Sequence, residues 1–173
     1  FMGVLGAAAI LWGSLQALIQ ERLKLLVAYS TVAQLGYLFL LFPLAVGTGQ
    51  RGMLWTGGLM FLLSHAAAKA AMFLAAGSIQ RAAGHDRVEE LDGITHVMPV
   101  SAFTIGLAGI SLVGLPPSAG FVGKWLLLSS SLSQGQWWWV AVILGGSLLA
   151  GAYMVRLLSH AFTRTSEAGV PQR

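Results

Sequence analysis

Apolar residues come in long, nearly unbroken runs along this chain, and the polar positions gather into short stretches between them. A run of about 20 apolar residues matches the hydrocarbon thickness of a bilayer, and a helix lets each run satisfy its own backbone in lipid. The pattern predicts an all-α, polytopic transmembrane bundle of about six spans. The first runs from Met2 to about Ile19 and ends at Glu21, Arg22 and Lys24, charges suited to headgroup level. The second runs from about Leu25 to Val46, and Gly47, Gly49, Arg51 and Gly52 make the next turn. The third, Met53 to about Ile79, is the longest before the first polar segment.

That polar segment, Gln80 to Thr95 within a loop of 80–98, mixes Asp86, Glu89, Glu90 and Asp92 with Arg81, His85, Arg87 and His96. The mixture predicts a short amphipathic helix at the interface. Pro99 suits the first turn of a fourth helix, which runs through Ser101 to about Val113. Gly114, Leu115, Pro116 and Pro117 stop it, because proline has no amide to donate and restricts the residue before it. A fifth helix restarts at Ser118 and runs to about Ser133, with Gly120, Gly123 and Lys124 near its beginning. After a turn at Ser133 to Gln136, Trp137, Trp138 and Trp139 form an interfacial belt, and a sixth span reaches about Phe162. Gly145, Gly146 and Gly151 are expected to give it a close-packing face, with Arg156 and His160 toward its far end. The bundle thus covers 1–163, and 164–173 is a polar tail.

Composition agrees with lipid as the solvent. The chain of 173 residues is 56% hydrophobic and 9% charged, with a mean hydropathy of +0.75, whereas soluble domains are about 25% charged. Cysteine is absent, which excludes disulfides, thiolate metal sites and iron–sulfur clusters, so any redox chemistry belongs to a partner. The formal net charge of +4 rests on few residues and forms no basic stripe, so no nucleic-acid footprint is expected. No phosphate loop, nucleophile elbow or zinc pattern occurs. No metal, cofactor or bond-making chemistry of the chain's own is therefore expected. Phe1 is not an initiator and no signal-peptide head precedes the first run, so the sequence reads as a fragment.

Two lysines change the picture. Lys69 lies about 16 residues from one end of its span and about 10 from the other, roughly 24 Å and 15 Å of helix. A central lysine costs about 2.5 to 3.5 kcal/mol even on lenient scales, so a hydrated cavity and a function are the default, against rescue by tilt or a carboxylate. His65 is one turn earlier on the same face, and histidine exchanges protons near neutral pH. The pair can share one proton path, although a histidine packed onto a carbonyl is the plainer alternative. Lys124 follows Pro116, Pro117 and Gly120, a helix break of the kind that marks ion sites in transporters. An interfacial anchor is its alternative. Tyr29, Ser30, Thr31, Gln34 and Ser64 extend a polar chain between such sites, or serve as helix-packing hydrogen bonds.

Three segments carry a specific resemblance: RLKLLVAYSTVAQLGY at Arg22 to Tyr37, SHAAAKAAMFLAAGSI at Ser64 to Ile79, and GLPPSAGFVGKW at Gly114 to Trp125. Their order and spacing resemble the antiporter-like subunits of respiratory complex I, membrane-bound hydrogenases and Mrp-type sodium/proton antiporters. The resemblance implies one five-helix inverted-repeat unit plus a preceding helix, with an interrupted helix near Pro116 to Lys124. It implies a proton half-channel in which Lys69 is the central lysine, His65 its neighbour and Lys124 the ionisable residue of the interrupted helix. Lysine at that last position fits several subfamilies. The implied partners are other membrane subunits, in a bacterial or archaeal plasma membrane, and the implied cargo is protons, or sodium in a Mrp-type setting. Inorganic-carbon uptake is a further alternative, as is a non-conducting scaffold.

Overall fold

A computed structural model describes residues 1–46, 51–91 and 93–162. Gly47 and Gly49 of the expected turn, Asp92 of the polar loop and the tail from Thr163 lie outside the described residues. The described residues form an all-α bundle without β-strands. The helices are α1 (Met2–Ile19), α2 (Leu23–Phe39), α3 (Leu41–Ala45), α4 (Arg51–Ala83), α5 (Ile94–Val97), α6 (Pro99–Val113), α7 (Ala119–Ser133) and α8 (Trp137–Phe162). The stretches Met2–Ile19, Leu23–Ala45, Gly52–Ala83 and Trp137–Phe162 are long and apolar enough to cross a bilayer. The chain is an integral membrane protein.

The runs expected as fourth and fifth spans are α6 and α7, of 15 residues each, or about 22 Å at 1.5 Å per residue. Both run along α4 in one direction. Ser111 of α6 meets Ser64, whereas in α7 Gly123 abuts Phe61 and Leu126 abuts Gly57. As α6 and α7 advance, the matching position on α4 falls, so the two are halves of a single broken passage. Neither half alone matches the bilayer thickness. The break has local causes: Gly114 closes α6 with a left-handed φ of 85°, Pro116 and Pro117 follow, and the Ser118 hydroxyl caps α7 by accepting from the Phe121 amide at 3.1 Å.

The polar loop departs from expectation. In place of an amphipathic helix it holds a 3-10 turn, Val88–Glu90, and the one-turn α5. Its backbone is committed elsewhere: the Leu23 amide donates to the Asp86 carbonyl and the Val88 amide to the Glu21 carbonyl, both at 2.7 Å. This short antiparallel bridge needs extended backbone, which no helix supplies. Arg22 pairs with Asp86 at 3.0 Å and Arg87 with Glu21 at 3.8 Å. The loop therefore ties the far end of α4 to the α1–α2 turn. Arg51 and Gly52 start α4 rather than the turn, and α4 carries on past Ile79 to Ala83.

Small residues set the closest helix contacts. A Cβ on Gly36 of α2 would lie 2.6 Å from the Gly6 carbonyl of α1, and one on Gly13 would lie 2.7 Å from the Ala33 amide. On α8 the expected glycine face reduces to Gly146, which abuts Ile10 and Tyr37. Gly145 faces open space, and Gly151 has only Val113 at 4.0 Å. Trp137 and Trp138 are exposed as a belt requires, while Trp139 turns in against Gly3.

This packing predicts that Gly36→Leu disrupts the α1–α2 contact, costing at least the roughly 1–3 kcal/mol of an overpacked core, whereas Gly145→Leu is tolerated. Yield and melting temperature of the two variants in detergent check the contrast; equal behaviour would contradict it.

Candidate functional site

The site is assembled on one face of α2. Val27, Ser30, Gln34 and Tyr37 recur every three or four residues, which puts them on a single stripe, and all four are buried. Against this stripe pack α4, the break between α6 and α7, and α8. Each contributes polar groups to this buried stripe.

Lys69, on α4, is 6% exposed. Its Nζ donates to the Val27 carbonyl at 3.0 Å and to the Ser30 hydroxyl. Ser30 passes its own hydrogen to the same carbonyl at 2.9 Å, and Thr31 Oγ1 donates there at 3.0 Å. An ammonium carries three hydrogens and accepts none, so with no carboxylate paired to it among the described residues it must find other oxygens. Here the oxygens come from one turn of α2.

Lys124, on α7, is 5% exposed. Its Nζ donates to the carbonyls of Leu112 at 2.8 Å and Val113 at 3.1 Å. These are the last residues of α6, where carbonyls have lost their helical partners and the helix dipole is negative. The helix break therefore makes the lysine's acceptors; Pro116 and Pro117 lie in that break, and Gly120 is in the first turn of α7. A side chain on Gly120 would collide with the Ser111 carbonyl and push the two halves apart. The amine also lies 4.6 Å from the centroid of the Tyr37 ring, within cation–π range.

Gln34 joins the two lysine sites. Its Nε2 donates at 3.1 Å to the Leu112 carbonyl that also receives Lys124. One turn away along α2, about 6 Å, sits the Ser30 that receives Lys69. His65 is 7% exposed, stacks on Phe61 with ring centroids 6.4 Å apart, and lies within Coulombic reach of both Lys69 and Lys124. Its Nδ1 makes no hydrogen bond among the described residues. A cavity of about 350 Å³ borders Lys124, with Val113, Phe121, Trp125, Ile143 and Ser147 among its walls.

The candidates do not all converge. Ser64 bonds Ser111 at 2.7 Å and stitches α4 to α6 beside the break. Tyr29 packs at the edge of an apolar cluster with Leu26, Val27 and Met72, and Thr31 bonds back within its own helix. Sequence reading missed Tyr37, whose hydroxyl donates to the Ile143 carbonyl at 3.3 Å, and Tyr153. Tyr153 is completely buried, its hydroxyl turned toward Gln34 and Ser30 without closing a hydrogen bond. A tyrosine in the interior of an apolar run was the available signal.

Residues 1–150 match the family model described as NADH:quinone oxidoreductase/Mrp antiporter, TM. NADH-quinone oxidoreductase subunit N of Desulforudis audaxviator is 39% identical over 171 residues, covering 99% of this chain and 32% of that one. In the Mrp complex from Dietzia sp. DQ12-45-1b, a chain superposes with a TM-score of 0.85 at 32% identity, over 95% of this chain and 30% of that one. A chain of respiratory complex I from Thermus thermophilus with bound aureothin gives 0.73 at 28% identity, over 96% and 36%. The chain thus spans about a third of the length of the relatives it matches.

The geometry predicts that Lys69→Met leaves the assembled protein equally stable or more so, by roughly 0.5–2 kcal/mol. Methionine fills the space of the aliphatic stem, and Val27 keeps two hydroxyl donors. Melting temperature checks this; a drop of several degrees would make Lys69 a structural pin.

Proposed function

This chain belongs to the NADH:quinone oxidoreductase/Mrp antiporter transmembrane family, and on that footing we propose that it passes protons along a buried line between Lys69 and Lys124. It does so as part of a subunit of a complex I-like or hydrogenase-like energy-converting membrane complex. The observation that carries the proposal is the pair of buried amines, neither facing a carboxylate among the described residues. Ser30, Gln34 and the shared Leu112 carbonyl lie between them.

Charge on one of these amines disfavours charge on the other. A proton arriving at Lys69 therefore promotes release from Lys124, and an event in a neighbouring subunit that adds or removes charge beside the line drives protons along it. Lysine suits the task because it can give up its proton when poorly hydrated. With no cysteine and no bond-making centre apparent in the sequence, the chain conducts while a partner supplies the chemistry. His65, within reach of both charges, is a second exchanging group on the same line.

Similarity to a chain of a Mrp complex supports a second reading, sodium/proton antiport. The chemistry of the line favours protons. Sodium is a hard cation that seeks oxygen ligands, carboxylates above all, and two lysine amines repel it.

In the complete complex reconstituted into vesicles, Lys69→Ala and Lys124→Ala are each expected to slow proton translocation at least about tenfold, or 1.4 kcal/mol in barrier. Lys124→Arg fails as well, since a guanidinium does not release its proton. Wild-type flux in both alanine variants would refute the relay, and flux of the unaltered complex that requires sodium would favour antiport.

A further inference from the structure

Tyr153 on α8 is completely buried, and its hydroxyl is turned toward Gln34 and Ser30 without a hydrogen bond to either. The Gln34 Oε1 is likewise buried and without a partner among the described residues. Unpaired polar atoms cost stability when buried, and native structures hold few of them. A phenylalanine at position 153 would fill the same space without that cost. Both atoms belong to residues beside the two sites: Ser30 receives Lys69, and Gln34 shares the Leu112 carbonyl with Lys124.

The location is fixed from both sides. Ser30, one neighbour of Tyr153, accepts from Lys69; Gln34, the other, donates to the Leu112 carbonyl that holds Lys124. Arg156, one turn along α8 on the same face, donates to the carbonyls of Leu18 and Gln20 at the end of α1, to Gln20 at 3.0 Å. It also lies 3.9 Å from Glu89. Arg156 thereby sets the register of α8 against α1 and the loop, and with it the height of Tyr153 against α2.

We propose that the Tyr153 hydroxyl is a proton-relay group between Lys69 and Lys124, with Gln34 positioning a bridging water. This rests on the function proposed above. A hydroxyl donates and accepts at once, so the transfer balances. Lys69 gives a proton to Ser30 Oγ, Ser30 turns from the Val27 carbonyl and passes its hydrogen to the Tyr153 oxygen, and Tyr153 passes its own to a water hydrogen-bonded to Gln34 Oε1. That water gives one hydrogen to neutral Lys124. One proton leaves Lys69, one reaches Lys124, and each carrier has lost one hydrogen and gained one. The buried Gln34 Oε1, without a partner among the described residues, is the acceptor such a water needs.

The test uses the complete complex in vesicles with Y153F, K69A and the packing control M154L, reading assembly, the rate of proton translocation and its dependence on heavy water. Y153F is expected to assemble, to slow translocation about tenfold and to change the heavy-water effect, while M154L behaves as wild type. If Y153F matches wild type in rate and heavy-water effect while K69A is inactive, Tyr153 is no relay and the lysine line stands without it. If K69A is also fully active, both proposals fall. Should Y153F not assemble, ring-fluorinated tyrosine at position 153 keeps the shape with a more acidic hydroxyl. Its pH profile of translocation must then shift, and an unshifted profile overturns the relay.

Discussion

A lysine ammonium in lipid has to find oxygen, and in this protein it finds backbone carbonyls. Lys69 takes the Val27 carbonyl and the Ser30 hydroxyl, and Lys124 takes the last carbonyls of α6. The two solutions differ. An intact helix offers a carbonyl already engaged along the ladder, so Lys69 needs the hydroxyl to complete its shell. A broken helix offers carbonyls with no ladder partner. The interruption at Gly114 to Ser118 is therefore the acceptor of Lys124 as well as a consequence of two prolines.

The rest of the bundle holds that arrangement in place. α2 is its spine, because one stripe of it touches both lysines and, through Tyr37, the Ile143 carbonyl of α8. Its position is fixed by glycine contacts with α1 at backbone distance and by the bridge from Leu23 and Glu21 to the polar loop. Such contacts leave little freedom to slide. A shift of one residue in α2 would turn Ser30 and Gln34 away from the lysines, since successive helical residues point about 100° apart.

Some of this was readable from the chain. The apolar runs set the helices, the double proline sets the break, and burial cost by itself singles out Lys69 and Lys124. Other parts were not. The described residues of the loop do not form the expected amphipathic helix because that backbone pairs with the α1–α2 turn, a contact between Arg22 and Arg87 that local pattern does not encode. Of three glycines expected to form one face on α8, only Gly146 meets a neighbour closely. Ser64 and Tyr29 are equivalent to Ser30 and Gln34 in the sequence, yet Ser30 receives a lysine and Gln34 shares a carbonyl with one.

The sequence by itself determined the solvent, the helical class and which charges are out of place, because these follow from composition and from the energy of burying a charge, and both are local properties. Tertiary structure alone decided what each lysine rests on and that α6 and α7 share one passage. It alone brought Gln34 to the carbonyl of Lys124 and Tyr153 to the gap between the two sites. Those depend on the rotation and height of one helix against another, set by close glycine contacts and by Arg156 on the end of α1, and no pattern along a single run contains them.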